Sequence, residues 1–174
     1  MIIDNKKGIF FFITGISGSG KSTLAKKIKK IIQINYGKTI VFHGDEIRKI
    51  FHLNGYTLKE RKKYALQYSK LSKKIVDEKI NIILATVSMF SDIRRWNRKN
   101  IKNYVEIYIK SDLKKILKRK NKYFYKIKTN NVIGVNIKPE LPTNPNIIIK
   151  NNFDKSIDSL GKDLVKKIMK VCLK

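Results

Sequence analysis

The sequence contains little cysteine, proline and tryptophan, and it has no long apolar run. Its 174 residues include one Cys, three Pro and one Trp. The lone Cys172 excludes an internal disulfide framework and suits a reducing compartment, so we expect it to be a small apolar side chain on the last helix. The apolar stretch after Lys7 covers about five residues, against roughly 7 to 15 in a secretory signal and about 20 in a membrane span. The composition predicts a cytoplasmic protein with no membrane partner.

Acidic residues are also scarce, because 13 Asp and Glu stand against 40 Lys and Arg and give a formal net charge of +27. Such a charge can indicate a protein that binds nucleic acid or another polyanion. The basic residues, however, are mostly lysines spread over every predicted helix, with only six arginines. We therefore expect a solvated surface that binds nucleic acid only non-specifically. The alternative is a basic nucleic-acid-binding protein whose nucleotide site is regulatory.

Short apolar runs alternate with amphipathic segments along the chain. The predicted strands cover residues 9–14, 39–43, 80–86, 104–109 and 146–149. The predicted helices cover 22–34, 57–78 with a capping box of Thr57 and Glu60, 92–101, a segment capped by Ser111 that runs to 118, and 154–173. This order predicts one α/β domain over residues 1–174, with a five-stranded parallel sheet covered on both faces. In such sheets, ligands bind beyond the carboxyl ends of the strands.

The segment GISGSGKS at residues 15–22 matches the phosphate-binding pattern G-x-x-x-x-G-K-[ST]. A predicted strand precedes it and a predicted helix follows, so backbone N–H groups converge at a helix N-terminus, where an anion is stabilised. Lys21 is expected to reach the β- and γ-phosphates of ATP, and the Ser22 hydroxyl is expected to bind Mg²⁺. A plain glycine turn is the alternative, but it does not explain the Lys-Ser pair. The predicted cofactor-binding residues are Gly15, Ser17, Gly18, Ser19, Gly20, Lys21, Ser22 and Thr23, together with Arg119 further along the chain.

Polar residues follow the second and third predicted strands. Asp45 could accept a proton from an attacking hydroxyl or hold Mg²⁺ through water, and Arg48 could bind a substrate phosphate with two N–H groups. The alternative is an acid at a helix N-terminus that pairs with a base three residues later. Ser88 follows the third strand with no acid beside it, which makes Asp45 more important.

A polar, basic stretch runs from about residue 119 to 138 and is too long for an ordinary connection, so we predict a mobile lid. Its Arg119, Lys122 and Lys126 could close over the transferring phosphoryl group, although each could also be a solvated side chain. His43 and His52 lack metal-ligand spacing and are interpreted as structural.

The chain resembles the adenylylsulfate (APS) kinase family over nearly its whole length. The matching segments are GISGSGKST at the phosphate loop, GDEIR at 44–48, NGYTLKER at 54–61, VSMF at 87–90, RKNKYFYK at 119–126, VIGVN at 132–136 and PELPTNP at 139–145. The resemblance implies a three-layer P-loop kinase fold, often dimeric, that transfers the γ-phosphoryl group of MgATP to the ribose 3′-hydroxyl of a nucleotide with a 5′-diphosphate-like group.

On the same resemblance, Asp45 is the catalytic acid/base, Arg48 and Arg61 bind the 5′ group of the acceptor, and Tyr56 stacks on its base. Ser88 is the counterpart of a serine sometimes described as a phospho-acceptor in the family. We expect it to bind substrate, because direct in-line transfer needs no covalent intermediate.

The chain departs from the family on the acceptor side. Val132 stands where the family has a second aromatic wall against the adenine, and Tyr64 stands where it has an asparagine. Losing one stacking wall should weaken adenine recognition and favour a smaller base. A subgroup resembling APS kinases acts in bacterial capsule pathways with cytidine diphosphoramidate as the acceptor. The resemblance therefore favours that acceptor, with APS as the alternative.

Overall fold

The protein is described by a computed structural model that covers residues 3–4, 6–119 and 133–172. Its centre is one sheet of five parallel strands in the order β2-β3-β1-β4-β5. The strands are β1 (Phe10–Thr14), β2 (Thr39–His43), β3 (Asn81–Ala85), β4 (Tyr104–Lys110) and β5 (Ile147–Lys150). The predicted five-stranded parallel sheet is confirmed, and no strand end differs from its predicted position by more than one residue.

Six helices connect or follow these strands in the described part of the chain. They are α1 (Lys21–Tyr36), α2 (Gly44–Ile50), α3 (Leu58–Asp77), α4 (Ser91–Asn100), α5 (Leu113–Lys118) and α6 (Ile157–Val171). None of them is both long and apolar enough to pass through a membrane.

The helix caps confirm one sequence prediction and correct two others. Thr57 accepts from the Glu60 backbone N–H, and the Glu60 carboxylate accepts from the Thr57 backbone, which is the predicted capping box. The prediction that Ser111 caps α5 was wrong. The N-cap is the next residue, Asp112, whose carboxylate accepts from the Lys114 backbone N–H. Helix α6 begins at Ile157 rather than at residue 154, because Ser156 is its N-cap.

The fold has three layers, with helices on each side of the sheet, because both faces of the central strand are apolar. Phe11 and Ile13 of β1 pack with α1 and α6 on one face. Phe10 and Phe12 pack on the other face, in the layer that contains Tyr68 of α3. Helices therefore cover both sides of the sheet, and the carboxyl ends of its strands meet at one edge.

Candidate active site

The phosphate loop connects β1 to α1 and packs closely against β4 and against the chain after β5. A Cβ atom at Gly15 would lie 2.6 Å from the Ile109 carbonyl oxygen. Gly20 has a φ of 93°, in the left-handed region, and a Cβ there would lie 2.8 Å from Asn151 Nδ2. Both glycines are therefore required by the closeness of β4 and of the chain after β5.

The side chains of the loop fit a bound polyphosphate. Lys21 is buried, and its Nζ donates to the Ile16 carbonyl oxygen at 2.8 Å, which holds the amino group against the loop. The Ser19 hydroxyl is buried and has no hydrogen-bond partner among the described residues. Ser22 and Thr23 are exposed in the first turn of α1, where a hydroxyl can reach a cation beside a phosphate.

A magnesium ion fits this site if one or two protein oxygens are completed by oxygen ligands from phosphate and water. In the described ranges there is no cluster of three or more His, Cys, Asp or Glu side chains that could hold a metal. Mg²⁺ commonly takes one or two protein oxygens and completes its shell with substrate phosphates and water. Ser22 and Asp45 both line the same cleft and could supply such oxygens.

Asn151 is a residue of this site that the sequence analysis missed. It follows β5, its backbone N–H donates to the Lys110 carbonyl at 2.9 Å, and its side-chain amide donates to the Ser19 carbonyl at 3.0 Å. The rule that ligands bind at strand ends could have identified it, but an asparagine in a polar loop carries no motif of its own.

Asp45 lies in the first turn of α2, directly beyond the end of β2. A Cβ at the preceding Gly44 would lie 2.7 Å from Thr86 Oγ1, so this turn packs closely against the residue after β3. Asp45 is exposed and lines the cleft with the phosphate loop. Within the described ranges it makes no ion pair with Arg48, so the alternative of a simple structural pair is not observed.

Arg48 instead turns towards two tyrosines. Its Nη2 donates to the Gly55 carbonyl oxygen at 2.6 Å. Its Cζ lies 4.2 Å from the ring centroid of Tyr56 and 5.2 Å from that of Tyr64, both within cation–π range. Arg61 lies 5.2 Å from the Tyr56 centroid, and its Nε donates to the Tyr56 carbonyl oxygen at 2.9 Å.

The two arginines concentrate positive charge in this part of the cleft. Burial is the main cause that lowers the pKa of Arg61, and the nearby Arg48 lowers it further. A guanidinium whose pKa is lowered by a neighbouring cation lies in a favourable place for an anion, which would relieve the repulsion.

Ser88 lies after β3 and is buried. Its backbone carbonyl accepts from Thr14 Oγ1 at 3.1 Å, and its hydroxyl has no partner among the described residues. The hydroxyl is therefore available to a ligand in the cleft that Ser88 lines.

Arg119 lies at the end of α5, and its Cζ is 4.5 Å from the ring centroid of Phe153. Phe153 has a φ of 65°, a conformation that is strained for a bulky side chain, and its backbone N–H donates to Asn151 Oδ1 at 3.2 Å. Both side chains line the cleft. Phe153 was not among the predicted site residues, because no sequence pattern indicates a phenylalanine at positive φ.

One cleft of about 990 Å³ brings most of the predicted site residues together. The predicted residues that line it are Ser17, Gly18, Gly20, Lys21, Ser22, Thr23, Asp45, Arg48, Tyr56, Arg61, Ser88 and Arg119. Gly15 and Ser19 form the loop without lining the cleft. The predicted Lys122, Lys126 and Val132, with most of the predicted lid, lie outside the described residues.

Known proteins resemble the chain over most of its length. It is 34% identical over 160 residues to a cytidine diphosphoramidate kinase of Campylobacter jejuni, covering 88% of this chain and 94% of that protein. It is also 34% identical over 166 residues to an adenylyl-sulfate kinase of Clostridium kluyveri, covering 91% and 83%. The fold matches that of the Mycobacterium tuberculosis APS kinase CysC, solved in complex with AMPPNP and APS, with a TM-score of 0.83, 21% identity, and coverage of 93% and 98%.

The family model for adenylylsulphate kinase matches residues 7–150, which include every strand of the sheet. Kinases of this family take ATP with Mg²⁺ as phosphoryl donor, and the phosphate loop described above fits that donor. The chain therefore belongs to the adenylylsulphate kinase family and is a nucleotide kinase, a phosphotransferase that acts on a hydroxyl group.

Proposed function

We propose that the enzyme transfers the γ-phosphoryl group of MgATP to the ribose 3′-hydroxyl of a nucleotide with a 5′-diphosphate-like group, and that this acceptor is cytidine diphosphoramidate. The observation that carries the proposal is the common cleft, which Lys21, Asp45 and the Arg48–Arg61 pair all line. Lys21 belongs to a polyphosphate site, the arginines form a second anion site, and a carboxylate lines the same cleft.

On the donor side, the loop from Gly15 to Thr23 holds the triphosphate, with Lys21 on the β- and γ-phosphates. Ser22, together with Asp45 through water, holds Mg²⁺, which neutralises charge on the transferring group. Arg119 and Phe153 form a stacked pair at the edge of the cleft and contact the donor nucleotide.

On the acceptor side, Arg48 and Arg61 bind the 5′ group, Tyr56 stacks on the base, and Ser88 contributes its unpartnered hydroxyl. The 3′-oxygen attacks the γ-phosphorus as the bond to the ADP oxygen breaks, and the 3′-hydroxyl proton passes to Asp45. Catalysis is chiefly positioning and charge neutralisation. Lys122 and Lys126 of the proposed lid, residues 119–138, complete this neutralisation.

Two observations support cytidine diphosphoramidate over APS. The chain resembles a cytidine diphosphoramidate kinase over nearly all of that protein. In addition, Val132 and Tyr64 replace the residues that an adenine acceptor uses in the family, and one stacking wall fits a smaller base. APS is the second candidate, since the adenylyl-sulfate kinase of Clostridium kluyveri is equally similar in identity.

We also propose how the protein is organised and where it acts. Residues 1–174 form one kinase domain, which acts in the cytoplasm, where ATP is available. A homodimer is proposed from the family resemblance. The basic surface binds nucleic acid only non-specifically, so such binding should disappear near physiological ionic strength.

A side-by-side kinetic comparison tests the proposal. Purified enzyme with MgATP is given cytidine diphosphoramidate or APS, and the position of the new phosphate is determined by NMR. We expect a higher kcat/KM for cytidine diphosphoramidate, a 3′-phosphate product, and no product from Lys21→Ala. Comparable kcat/KM values would remove Val132 as a specificity determinant. If neither acceptor is phosphorylated while RNA or DNA binds tightly at physiological salt, the nucleic-acid-binding alternative would replace the proposal.

A further inference from the structure

Tyr64 and Tyr68 lie one turn apart on α3, and both line the cleft beside Arg48. Tyr64 presents its ring 5.2 Å from the Arg48 Cζ. The Tyr68 side chain is 6% exposed, and its ring packs in the core with Phe10 and Phe12. The two tyrosines therefore join the acceptor side of the cleft to the sheet.

Tyr68 lines the cleft together with Arg48 and Asp45 and lies within electrostatic reach of both. The charges of Arg48 and Asp45 both act on its pKa, which burial raises to about 12, so the group stays neutral at physiological pH. This hydroxyl is buried and has no hydrogen bond of good geometry within the described ranges. A neutral phenol oxygen beside a guanidinium can accept an N–H from it as the arginine settles around a ligand.

Arg48 is otherwise held by a less firmly packed segment. Gly55 accepts its hydrogen bond, and Tyr56, which stacks on it, is 54% exposed. Both precede α3, whereas Tyr64 and Tyr68 belong to a helix of 20 residues packed on the sheet. Among the described residues, no carboxylate forms an ion pair with Arg48, so its charge is available to an anion.

We infer that Tyr64 and Tyr68 are positioning residues for the acceptor, because they hold the Arg48 guanidinium in the orientation that binds the anionic 5′ group. The inference rests on the proposed function for the nature of that group, a diphosphate or a close analogue. Tyr64 acts through its ring face and Tyr68 through its hydroxyl. Neither side chain needs to touch the acceptor.

The test is the binding of CDP, a stable 5′-diphosphate probe, measured by calorimetry with saturating AMPPNP and Mg²⁺. Tyr68→Phe and Tyr64→Leu should each raise the Kd for CDP by about fivefold, the size of one partly desolvated cation–π or hydrogen-bond contact. Tyr64→Phe keeps the ring and should bind CDP as the wild type does. Tyr108→Phe changes a buried tyrosine outside the cleft and is the matched control.

A second background separates positioning from direct contact. In Arg48→Lys, which keeps the charge but loses the planar group, the same tyrosine substitutions should change the Kd by less than twofold, because effects transmitted through Arg48 are not additive with its loss. The KM for ATP should stay constant in every variant.

The outcomes of this experiment distinguish the inference from the proposed function. The positioning role would be overturned if Tyr68→Phe and Tyr64→Leu bound CDP as tightly as the wild type does. It would also be overturned if these substitutions lowered the affinity for CDP fully in the Arg48→Lys background. In either case, turnover of the acceptor would still uphold the proposed function. A dependence on both tyrosines in an enzyme that phosphorylates neither acceptor would uphold the positioning role and reject the function. Failure of the wild type to bind CDP would overturn the inference.

Discussion

The side-chain amide of Asn151 donates to the Ser19 carbonyl at 3.0 Å and joins the end of β5 to the phosphate loop. The same amide nitrogen would lie only 2.8 Å from a Cβ atom added at Gly20. The conformation of the loop thus depends on a residue more than 130 positions away in sequence. The last strand and the nucleotide site are thus linked by one side chain.

Replacing Asn151 by Ala should raise the KM for ATP several-fold and change the KM for the acceptor little. The hydrogen bond from Asn151 to Ser19 stabilises the loop by about 1 kcal/mol. Without it, the backbone N–H groups of the loop can move away from the phosphates. Steady-state kinetics with each substrate varied in turn measures the effect. Asn152→Ala, at the next position, is the control, and an equal change in that variant would contradict a specific role for Asn151.

Asp45→Asn should reduce kcat by about 10²-fold or more, because the amide cannot take the 3′-hydroxyl proton. The affinity for ATP should change much less, since Lys21 and the loop backbone bind the triphosphate. The experiment measures kcat and, by calorimetry, AMPPNP binding. Glu46→Gln, which changes the neighbouring exposed acid outside the cleft, should keep full activity. If only nucleotide binding weakens in Asp45→Asn, Asp45 serves only the metal or the fold, and the base lies elsewhere.

Phe153→Gly should weaken ATP binding several-fold with little net change in stability, because relief of the backbone strain offsets the lost packing of the ring. The ring that Arg119 stacks on is lost, while glycine adopts the φ of 65° at no steric cost. Thermal unfolding and the KM for ATP measure the two effects separately. A variant with unchanged KM and a higher Tm would show that Phe153 carries strain without contributing to nucleotide binding.

Much of the fold could be predicted from the sequence because its signals are local. The run FFFIT is buried on both faces, and the glycines of the loop, with Lys21 after them, require one strand-loop-helix arrangement. The Thr57 cap was found because its partner Glu60 is three residues away. The cap of α5 is Asp112 and not the predicted Ser111; the prediction missed by one residue because serine and aspartate at adjacent positions carry the same capping signal.

The parts of the site that escaped prediction depend on contacts distant in sequence. Arg48 was expected to bind an anion, yet its stacking against Tyr64, 16 positions later, follows only from how α2 and α3 are placed. Asn151 and Phe153 lie in a polar loop with no motif, and their roles come from the approach of β5 to the phosphate loop. The strand-end rule indicates the region but not the residue.

Asp77→Asn should lower the free energy of unfolding by about 1 kcal/mol or less at neutral pH. This difference between variant and wild type should vanish in acid. Hydrogen bonds from Lys7 and Lys73, each at 2.6 Å, lower the pKa of Asp77 below its ordinary value. A carboxylate whose pKa is lower in the folded state stabilises the protein at pH values above its unfolded-state pKa. This contribution is lost as the pH falls through the folded-state pKa. Tm measured from pH 7 down to pH 3 checks this, with Asp163→Asn, in another lysine pair, as the charge-matched control. A difference that is independent of pH would contradict it.

Glu106→Gln should lower the free energy of unfolding by about 3 kcal/mol, the usual cost of removing one partner from a buried ion pair. Glu106 is 0% exposed in the middle of β4; its carboxylate lies 2.8 Å from Arg98 Nη2 and 3.5 Å from Arg94 Nε. Arg98 also donates to the Asn144 carbonyl, so the network holds the segment before β5 against α4. Chemical denaturation measures the loss, and Arg95→Gln, on the exposed side of α4, should change stability by less than about 0.5 kcal/mol. Glutamine has nearly the same shape as glutamate, so the KM for ATP should remain near that of the wild type. A large rise in the KM for ATP with unchanged stability would show that Glu106 acts on the nucleotide site instead of on the fold.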